Sequence, residues 1–177
     1  KITKNIIVAA GSWSYLLLKK LGLSLPVRPV KGYSLTLNTV GSNNSPKLAI
    51  LDDSIHTAVT PFKNRIRIAG TAEFTGFNDF ISQQRIDYLF NVLKKVYPDL
   101  YSEISPEEGS VWCGFRPMSP DGLPYIGETA IEGLYLNVGQ GHLGWTSAMG
   151  SGALLADLIV GRKPIIDPSP YLANRNI

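Results

Sequence analysis

The sequence feature that most constrains the fold is a glycine-rich segment, residues 139–152, that passes directly into a helical pattern. Closely spaced glycines let backbone N–H groups approach a ligand, and the first turn of a helix carries partial positive charge. The pattern predicts a helix over residues 145–160 that is closed by Gly161. We therefore expect this segment either to hold an anion or a ligand oxygen that gains negative charge, or to pack closely through its small side chains.

A second α/β signal lies near the start of the chain. Residues 6–10 form a continuous apolar run ended by Gly11, which is the pattern of a strand buried on both faces. A helix is expected over residues 15–21, with Gly22 as its stop. Such a strand–glycine–helix unit is typical of α/β cofactor domains. Because the sequence opens at Lys1 directly on this strand, we expect it to be a piece of a longer protein.

The middle of the chain predicts a largely antiparallel sheet with a covering helix. Residues 30–37 alternate apolar and polar side chains, as in a half-exposed strand. A polar link at Lys63 and Asn64 suits a hairpin, and a helical repeat begins at Ser82 and stops at Pro98. The remaining strands are expected at residues 48–51, 56–61, 65–69, 111–115 and 134–138.

Composition and charge exclude several classes of function. The formal net charge of +3 comes from dispersed residues without a block of one sign, which argues against nucleic-acid binding. A single cysteine, Cys113, excludes an intrachain disulfide, and the presence of only two histidines, His56 and His142, argues against a zinc site. The sequence has no P-loop, no signal peptide and no apolar run near the ~20 residues that span a bilayer.

Arg116 is the clearest candidate for binding a charged ligand. It follows an apolar strand pattern and precedes Pro117, so a stiff backbone places its side chain at a strand end. A guanidinium presents a planar fork to a carboxylate, and such a charge-assisted contact contributes roughly 1.5–3 kcal/mol. A structural arginine paired with a protein carboxylate is the alternative. The residue types alone indicate an α/β protein with a glycine-rich ligand loop and a well-placed arginine.

The order of these segments resembles that of a known flavoprotein family. The segments are residues 8–14 (VAAGSWS), 26–35 (PVRPVKGYSL), 65–73 (RIRIAGTAE), and 112–127 followed by 139–159. Together they span nearly the whole chain. On these residues the chain resembles the FAD-dependent D-amino-acid oxidoreductases, and within them the bacterial D-amino-acid dehydrogenases of the small-subunit type.

This resemblance implies an α/β (α+β) fold with a discontinuous cofactor domain. Residues 1–26 would end an FAD-binding, Rossmann-like domain, and residues 27–115 would form a substrate-binding domain with a mixed, largely antiparallel sheet and covering helices. Residues 116–177 would return to the FAD-binding domain. In this family the ADP half of FAD binds a Gly-x-Gly-x-x-Gly motif on the first, N-terminal βα turn. The chain shows no such N-terminal motif, so the resemblance implies a missing N-terminal FAD-binding segment.

The resemblance also implies site residues for oxidative deamination of a small amino acid. Arg116 would bind the substrate carboxylate, and Tyr33 would line the substrate pocket, although a packed strand tyrosine is the alternative. No residue is assigned as the base, and the role of Glu73 is left open. The residues expected at the cofactor are Ala10, Gly11, Gly141, His142, Leu143, Gly144, Trp145 and Thr146.

The mode of flavin binding and the class of activity are further expectations from the sequence. We expect FAD to be bound non-covalently, because the offset of Cys113 from Arg116 does not match covalent flavin attachment. We expect a dehydrogenase that passes electrons to a quinone or another acceptor, with peripheral association at the bacterial inner membrane or a cytoplasmic location. An oxygen-using amine oxidase of the glycine or sarcosine type, and a non-catalytic piece that binds no flavin alone, are the competing interpretations.

Overall fold

A computed structural model describes residues 3–105 and 109–175. These residues form two compact units, one made of Lys1–Val30 with Arg116–Ile177 (unit 1) and one made of Lys31–Phe115 (unit 2). No helix in the described part of the chain is long and apolar enough to cross a membrane. The strands are β1 (Ile6–Val8), β2 (Arg28–Asn38), β3 (Ile50–Asp52), β4 (Thr57–Phe62), β5 (Arg65–Glu73), β6 (Ser110–Met118), β7 (Tyr125–Glu128) and β8 (Leu134–Val138), and the α-helices are α1 (Ser14–Lys19), α2 (Gln83–Val96), α3 (Pro98–Glu103) and α4 (Gly144–Val160).

Unit 1 contains a mixed sheet with the strand order β1-β8-β7 in the described residues. β1 runs parallel to β8, with Ile6 opposite Leu134, and β7 runs antiparallel to β8. Apolar side chains of β7 and β8 pack against α4 on one side, where Leu154 and Leu155 are buried. A second cluster joins the strands to α1 through Leu18. The sheet thus holds the ends of β1 and β8 and the start of α4 in fixed positions.

The predicted first strand is shorter and more exposed than its sequence indicates. β1 ends at Val8, and Ile6 and Ile7 are 54% and 50% exposed. The prediction that this strand is buried on both faces is therefore wrong for the described chain. The physical reason is that β1 pairs only with β8 among the described residues, so nothing there covers its outer edge.

Helix α4 has apolar or small side chains over most of its circumference, Asp157 being its one charged residue, but it is buried on one side only. It begins at Gly144, one residue before the predicted start, and ends at Val160, where the C-cap Gly161 adopts the left-handed conformation. The side opposite Leu154 exposes Trp145 and Met149, at 96% and 86%. Helices that are apolar all round are normally buried on all sides. The exposed side of α4 is thus an apolar surface that the described residues leave uncovered.

Unit 2 contains a sheet with the strand order β3-β4-β5-β2-β6. The predicted hairpin is confirmed, because β4 and β5 pair antiparallel with Phe62 opposite Arg65 across the Lys63–Asn64 link. Helix α2 packs its apolar face onto this sheet. Its core is closed, and the most deeply buried apolar side chains are those of Leu35, Leu37, Ile66, Ile68, Leu89, Leu93 and Leu100.

Several predicted elements of the chain need correction. β2 is buried on both faces rather than half-exposed, because it is a central strand and Arg67 Nε donates to Thr36 Oγ1 across its polar face. β6 continues through Met118, so Arg116 lies inside the strand rather than beyond its end. Pro98 ends the pattern of α2 but starts α3 at its first position, where its missing N–H costs nothing. β7 was not predicted, since its four residues follow a turn-rich stretch.

A β-bulge in unit 2 shifts the pairing of β2 with the C-terminal end of β5. The register shifts so that Tyr33 lies opposite Gly70 while Lys31 lies opposite Glu73. Thr71, within the bulge, has a φ of 66°, which is strained for a β-branched residue. Bulges of this kind re-aim side chains. Here the bulge brings the Glu73 carboxylate to the Tyr33 hydroxyl.

Candidate active site

The predicted cofactor residues of unit 1 gather at one edge of its sheet. Because β1 and β8 are parallel, their carboxyl ends lie at the same edge. Ala10 and Gly11 follow β1, and Gly139 follows β8. Ala10 is exposed, and Gly11 opens a 3-10 turn with a φ of 53°. Ligands of α/β proteins characteristically bind beyond the carboxyl ends of parallel strands.

The loop after β8 has backbone conformations that suit glycine. Gly139 and Gly141 have φ values of 85° and 58°. A Cβ atom at Gly141 would lie 3.1 Å from Met118 Sδ, which is tighter than normal packing. The loop is fixed to β6, because the Gly141 N–H donates to the Pro117 carbonyl at 3.0 Å and Met118 forms a β-bridge with Gln140.

The spacing of this loop also matches a motif that the sequence analysis overlooked. Gly139, Gly141 and Gly144 are spaced as Gly-x-Gly-x-x-Gly, and they lie between a strand and a helix. The dinucleotide-binding form of that motif needs a βαβ unit in which a second parallel strand follows the helix. Within residues 3–105 and 109–175, α4 is followed by a 3-10 turn and by no such strand. The match in letters therefore does not make this the ADP-binding turn of the family.

The start of α4 offers backbone donors to a ligand. Leu143 is the N-cap residue, and none of the described side chains caps this end or places an acidic group in the first turn. The first N–H groups of a helix have no partner within the helix, which leaves those of Gly144, Trp145 and Thr146 as donors. His142, Leu143, Trp145 and Thr146 are exposed. The positive end of the helix dipole is thus available to a ligand oxygen.

A cavity of about 400 Å³ adjoins the start of α4 within unit 1. Its size lies in the range of small-molecule sites. One side is formed by the first turns of α4, and Gly150 leaves open space where a side chain would project. The other sides come from the turn before β7 and from the C-terminal part of the chain. Its lining includes Met118, Gly122, Leu123, Pro124, Ile166 and Tyr171.

Arg116 lies two residues before Met118 on β6. Side chains at positions i and i+2 of a strand lie on the same face, so Arg116 shares its face with a residue that lines the cavity. Arg116 itself is half-buried, and burial lowers the pKa of its guanidinium from the ordinary value. An arginine nevertheless stays protonated in proteins. The Gly141–Pro117 hydrogen bond ties the backbone next to Arg116 to the glycine loop, so these two sequence-predicted features are neighbours.

Tyr33 belongs to unit 2, where it is buried at 2% exposure. Its hydroxyl donates to Glu73 Oε2 at 2.7 Å, and Arg85 Nε donates to Glu73 Oε1 at 2.7 Å. These hydrogen bonds, that from Tyr33 being the larger cause, hold the pKa of Glu73 below its ordinary value. The Lys31 ammonium is buried 4.9 Å from the Tyr33 ring centroid and donates to the Phe80 carbonyl. Within its unit, Tyr33 is a packed tyrosine in a polar network.

The structure also gives the surroundings of Cys113 and Arg175. Cys113 is partly buried in unit 2, where its thiol contacts the Asp79 carbonyl at 3.4 Å. Arg175, which the sequence analysis did not single out, is buried against Asp121 in unit 1. Nothing in a local pattern joins residues so far apart in sequence, so this pair became visible only in the structure.

Sequence comparison finds bacterial relatives of high similarity. The chain is 48% identical over 155 residues to the D-amino acid dehydrogenase of Vibrio atlanticus, covering 88% of this chain and 36% of that protein. It is 44% identical over 161 residues to the D-amino acid dehydrogenase of Granulibacter bethesdensis, covering 91% of this chain and 38% of that protein. The chain thus spans well under half the length of these curated relatives.

Solved structures share the fold. Glycine oxidase from Geobacillus kaustophilus superposes with a TM-score of 0.87 at 26% identity, over 98% of this chain and 46% of that one. Iminodiacetate oxidase from Chelativorans sp. BNC1 superposes with a TM-score of 0.88 at 26% identity, over 97% of this chain and 46% of that one. These likenesses and the observed sheets confirm the predicted mixed α/β fold.

The family assignment follows from a match over most of the chain. The family model DAO, described as FAD dependent oxidoreductase, matches residues 1–158. That range includes the ends of β1 and β8, Arg116 on β6 and the glycine loop before α4. The chain therefore belongs to the family of FAD-dependent oxidoreductases.

Proposed function

We propose that this chain is part of an enzyme that uses FAD to oxidise D-amino acids to 2-oxo acids and ammonia. The observation that carries the proposal is the hydrogen bond from the Gly141 N–H to the Pro117 carbonyl, which places the Arg116 backbone beside the donor-rich start of α4. A carboxylate-binding arginine and a set of N–H donors are the two features that an amino acid and a flavin require. The 44–48% identity to D-amino acid dehydrogenases supports this choice of substrate.

The residues present fit a flavin. Bound FAD would supply a hydride acceptor, which protein side chains alone do not provide. The N–H groups of Gly144, Trp145 and Thr146 would donate to a ring oxygen that gains negative charge. Ala10, Gly11, Gly141, His142 and Leu143 would form the backbone around it. We propose non-covalent binding, since the Cys113 thiol is engaged with Asp79 in unit 2.

Arg116 would act by positioning the substrate. Its guanidinium would hold the carboxylate so that the Cα–H bond faces the hydride acceptor, which is catalysis by orientation. The substrate loses a hydride from Cα and a proton from its amine, giving an imino acid that water hydrolyses to the 2-oxo acid and ammonia. Tyr33 is proposed as part of the substrate-binding domain, which we assign to unit 2, with unit 1 as part of the FAD-binding domain.

We further propose that a segment of the full-length protein outside this chain binds the ADP half of FAD. The chain covers only 36–38% of the two relatives described above. The exposed outer edge of β1 and the exposed apolar side of α4 support a further segment packed on unit 1. The isolated chain should accordingly bind FAD poorly and be inactive. Electrons would pass to a quinone or another acceptor, with peripheral membrane association of the full-length enzyme.

The test is a pair of assays on the full-length protein. A flavin that absorbs at about 450 nm and is released into the supernatant by acid precipitation would show non-covalent FAD. Turnover of D-alanine with an artificial dye, with L-alanine as the control substrate, would show the proposed reaction. A colourless protein, or one that turns over L-alanine and not D-alanine, would contradict the proposal.

A second candidate function is an oxygen-using amine oxidase. The superposition on glycine oxidase and iminodiacetate oxidase favours it, but at only 26% identity. Hydrogen peroxide formed with glycine at a rate matching substrate loss would support the oxidase. Turnover that needs the dye and gives no peroxide would support the dehydrogenase.

A further inference from the structure

Arg175 is a buried arginine near the end of unit 1. Its side chain is 8% exposed, and its guanidinium donates twice to the Asp121 carboxylate, at 3.0 Å from both Nε and Nη2. It also donates to the carbonyl oxygens of Leu123 at 2.8 Å and Pro124 at 3.0 Å. A longer contact reaches the Leu172 carbonyl at 3.5 Å. The guanidinium thus hydrogen-bonds to the turn before β7 through the Asp121 side chain and through the backbone carbonyls of Leu123 and Pro124.

The same guanidinium is linked to the glycine loop through Tyr125. Arg175 Cζ lies 3.7 Å from the centroid of the Tyr125 ring, a close cation–π contact. The loop passes against that ring, since a Cβ added at Gly139 would lie 3.4 Å from Tyr125 Cδ2. Tyr125 is 2% exposed and has little room to move. Arg175 therefore contacts Tyr125 directly, and Tyr125 in turn pairs with Val138, the residue before Gly139.

Arg175 also joins two walls of the cavity beside α4. Gly122, Leu123 and Pro124 form one wall, and the backbones of Leu123 and Pro124 are direct acceptors of Arg175. Ile166 and Tyr171 contribute the other, and they belong to the C-terminal segment that also contains Arg175. The third wall is the first part of α4. The arginine does not line the cavity, but its hydrogen bonds join the turn that forms one wall to the segment that forms another.

We propose that Arg175 is a positioning residue for the flavin site. Through Asp121 it holds the turn at 119–124 and the segment 162–175 together, and through Tyr125 it positions the glycine loop. This inference rests on the proposed function. Only an arginine can make the bidentate contact, bind the two carbonyls and lie flat on the ring. Lysine would keep the charge and lose this geometry, which makes Arg175→Lys the informative change.

The experiment measures FAD binding and flavin midpoint potential in the full-length, FAD-loaded protein. Arg175→Lys and Asp121→Asn should each raise the FAD dissociation constant about tenfold, equivalent to 1.4 kcal/mol. They should also shift the midpoint potential, because the donors before α4 move relative to the flavin. The matched control is Arg162→Lys, since Arg162 pairs with Asp157 at 2.9 Å in the same unit but is 69% exposed. The control should leave both readouts at wild-type values.

The outcomes separate a positioning role from a structural one. If both variants lower the unfolding temperature of apo and FAD-loaded protein equally, with wild-type FAD affinity and midpoint potential, the inference is overturned. Should Arg175→Lys fail to fold, Asp121→Asn decides the question alone, because asparagine can keep the turn. If the wild-type protein binds FAD and oxidises D-alanine, and both variants have its FAD affinity and midpoint potential, only this inference is wrong. A wild-type protein without FAD would sink the proposed function as well.

Discussion

Units 1 and 2 differ in where their exposed apolar side chains lie. In unit 2 core side chains such as Leu35 and Ile68 have no exposed surface, and the most exposed apolar side chains, those of Leu48, Phe74 and Phe80, lie outside its strands and helices. In unit 1 the sheet ends on the exposed strand β1, and α4 presents Trp145 and Met149 outward. The residues predicted to bind FAD lie in unit 1. The unit that contains the predicted FAD-binding residues is thus the one that exposes apolar side chains of a strand and a helix, β1 and α4.

The largest expected effect tests this difference in burial directly. Leu35→Ala removes a fully buried side chain and should lower the free energy of unfolding by about 3–5 kcal/mol. Ile7→Ala is the matched control in unit 1, where the side chain is half-exposed, and should cost only about 0.5 kcal/mol. Urea unfolding of the 177-residue chain, followed by circular dichroism, measures both. Equal losses would show that β1 is as well buried as the core of unit 2.

The next effect concerns chemistry rather than folding. Arg116→Ala in the full-length enzyme should lower kcat/KM by an amount equivalent to ~2–4 kcal/mol of transition-state stabilisation, with much of the change in KM, because the carboxylate loses its anchor. Steady-state kinetics with D-alanine measures it. Arg65→Ala, at an exposed arginine of unit 2, is the control for loss of charge and should leave the kinetics unchanged. Unchanged kinetics in Arg116→Ala would remove Arg116 from the substrate site.

Gly144→Leu should separate cofactor binding from stability in unit 1. A Cβ at Gly144 would meet only Gln140 Cβ at 3.4 Å, and leucine favours a helix over glycine, so the fold should tolerate it. The side chain would crowd the N–H donors before α4 and should reduce FAD affinity about tenfold, or 1.4 kcal/mol. The ratio of flavin to protein after gel filtration checks this. A normal flavin content with normal unfolding would place the flavin elsewhere.

The smallest expected effect is the pH dependence of unit 2. The pKa of Glu73 is lowered in the folded protein by hydrogen bonds from Tyr33 and Arg85, so its contribution is complete above its ordinary value of 4.5. That contribution is lost as the pH falls from there through the lowered pKa. Glu73→Gln should cost about 1 kcal/mol at pH 7 and less at pH 3. Urea midpoints at both pH values, compared with wild type, decide it; a pH-independent difference would contradict the assigned network.

The sequence predicted local features better than distant ones. The hairpin at Lys63 and Asn64 and the helix before Gly161 were predicted correctly, because turn chemistry and helical spacing depend on neighbouring residues. The burial of β2 and the exposure of β1 were not predicted correctly, because they depend on which strands lie beside each of them. Arg116 and the glycine loop were recognised, and their roles stay predictions. The pairing of Arg175 with Asp121 could not be predicted, because it joins residues 54 positions apart.

The parallel pairing of β1 with β8 also has a consequence for biosynthesis. Ile6 leaves the ribosome before its partner Leu134, which follows only after all of unit 2 has been made. At about 5–20 residues per second, this delay is on the order of ten seconds. Unit 2, whose hairpin partners are close in sequence, can fold during that interval. The apolar β1 segment must meanwhile stay unpaired with β8, so its strand can form only after unit 2 has left the ribosome.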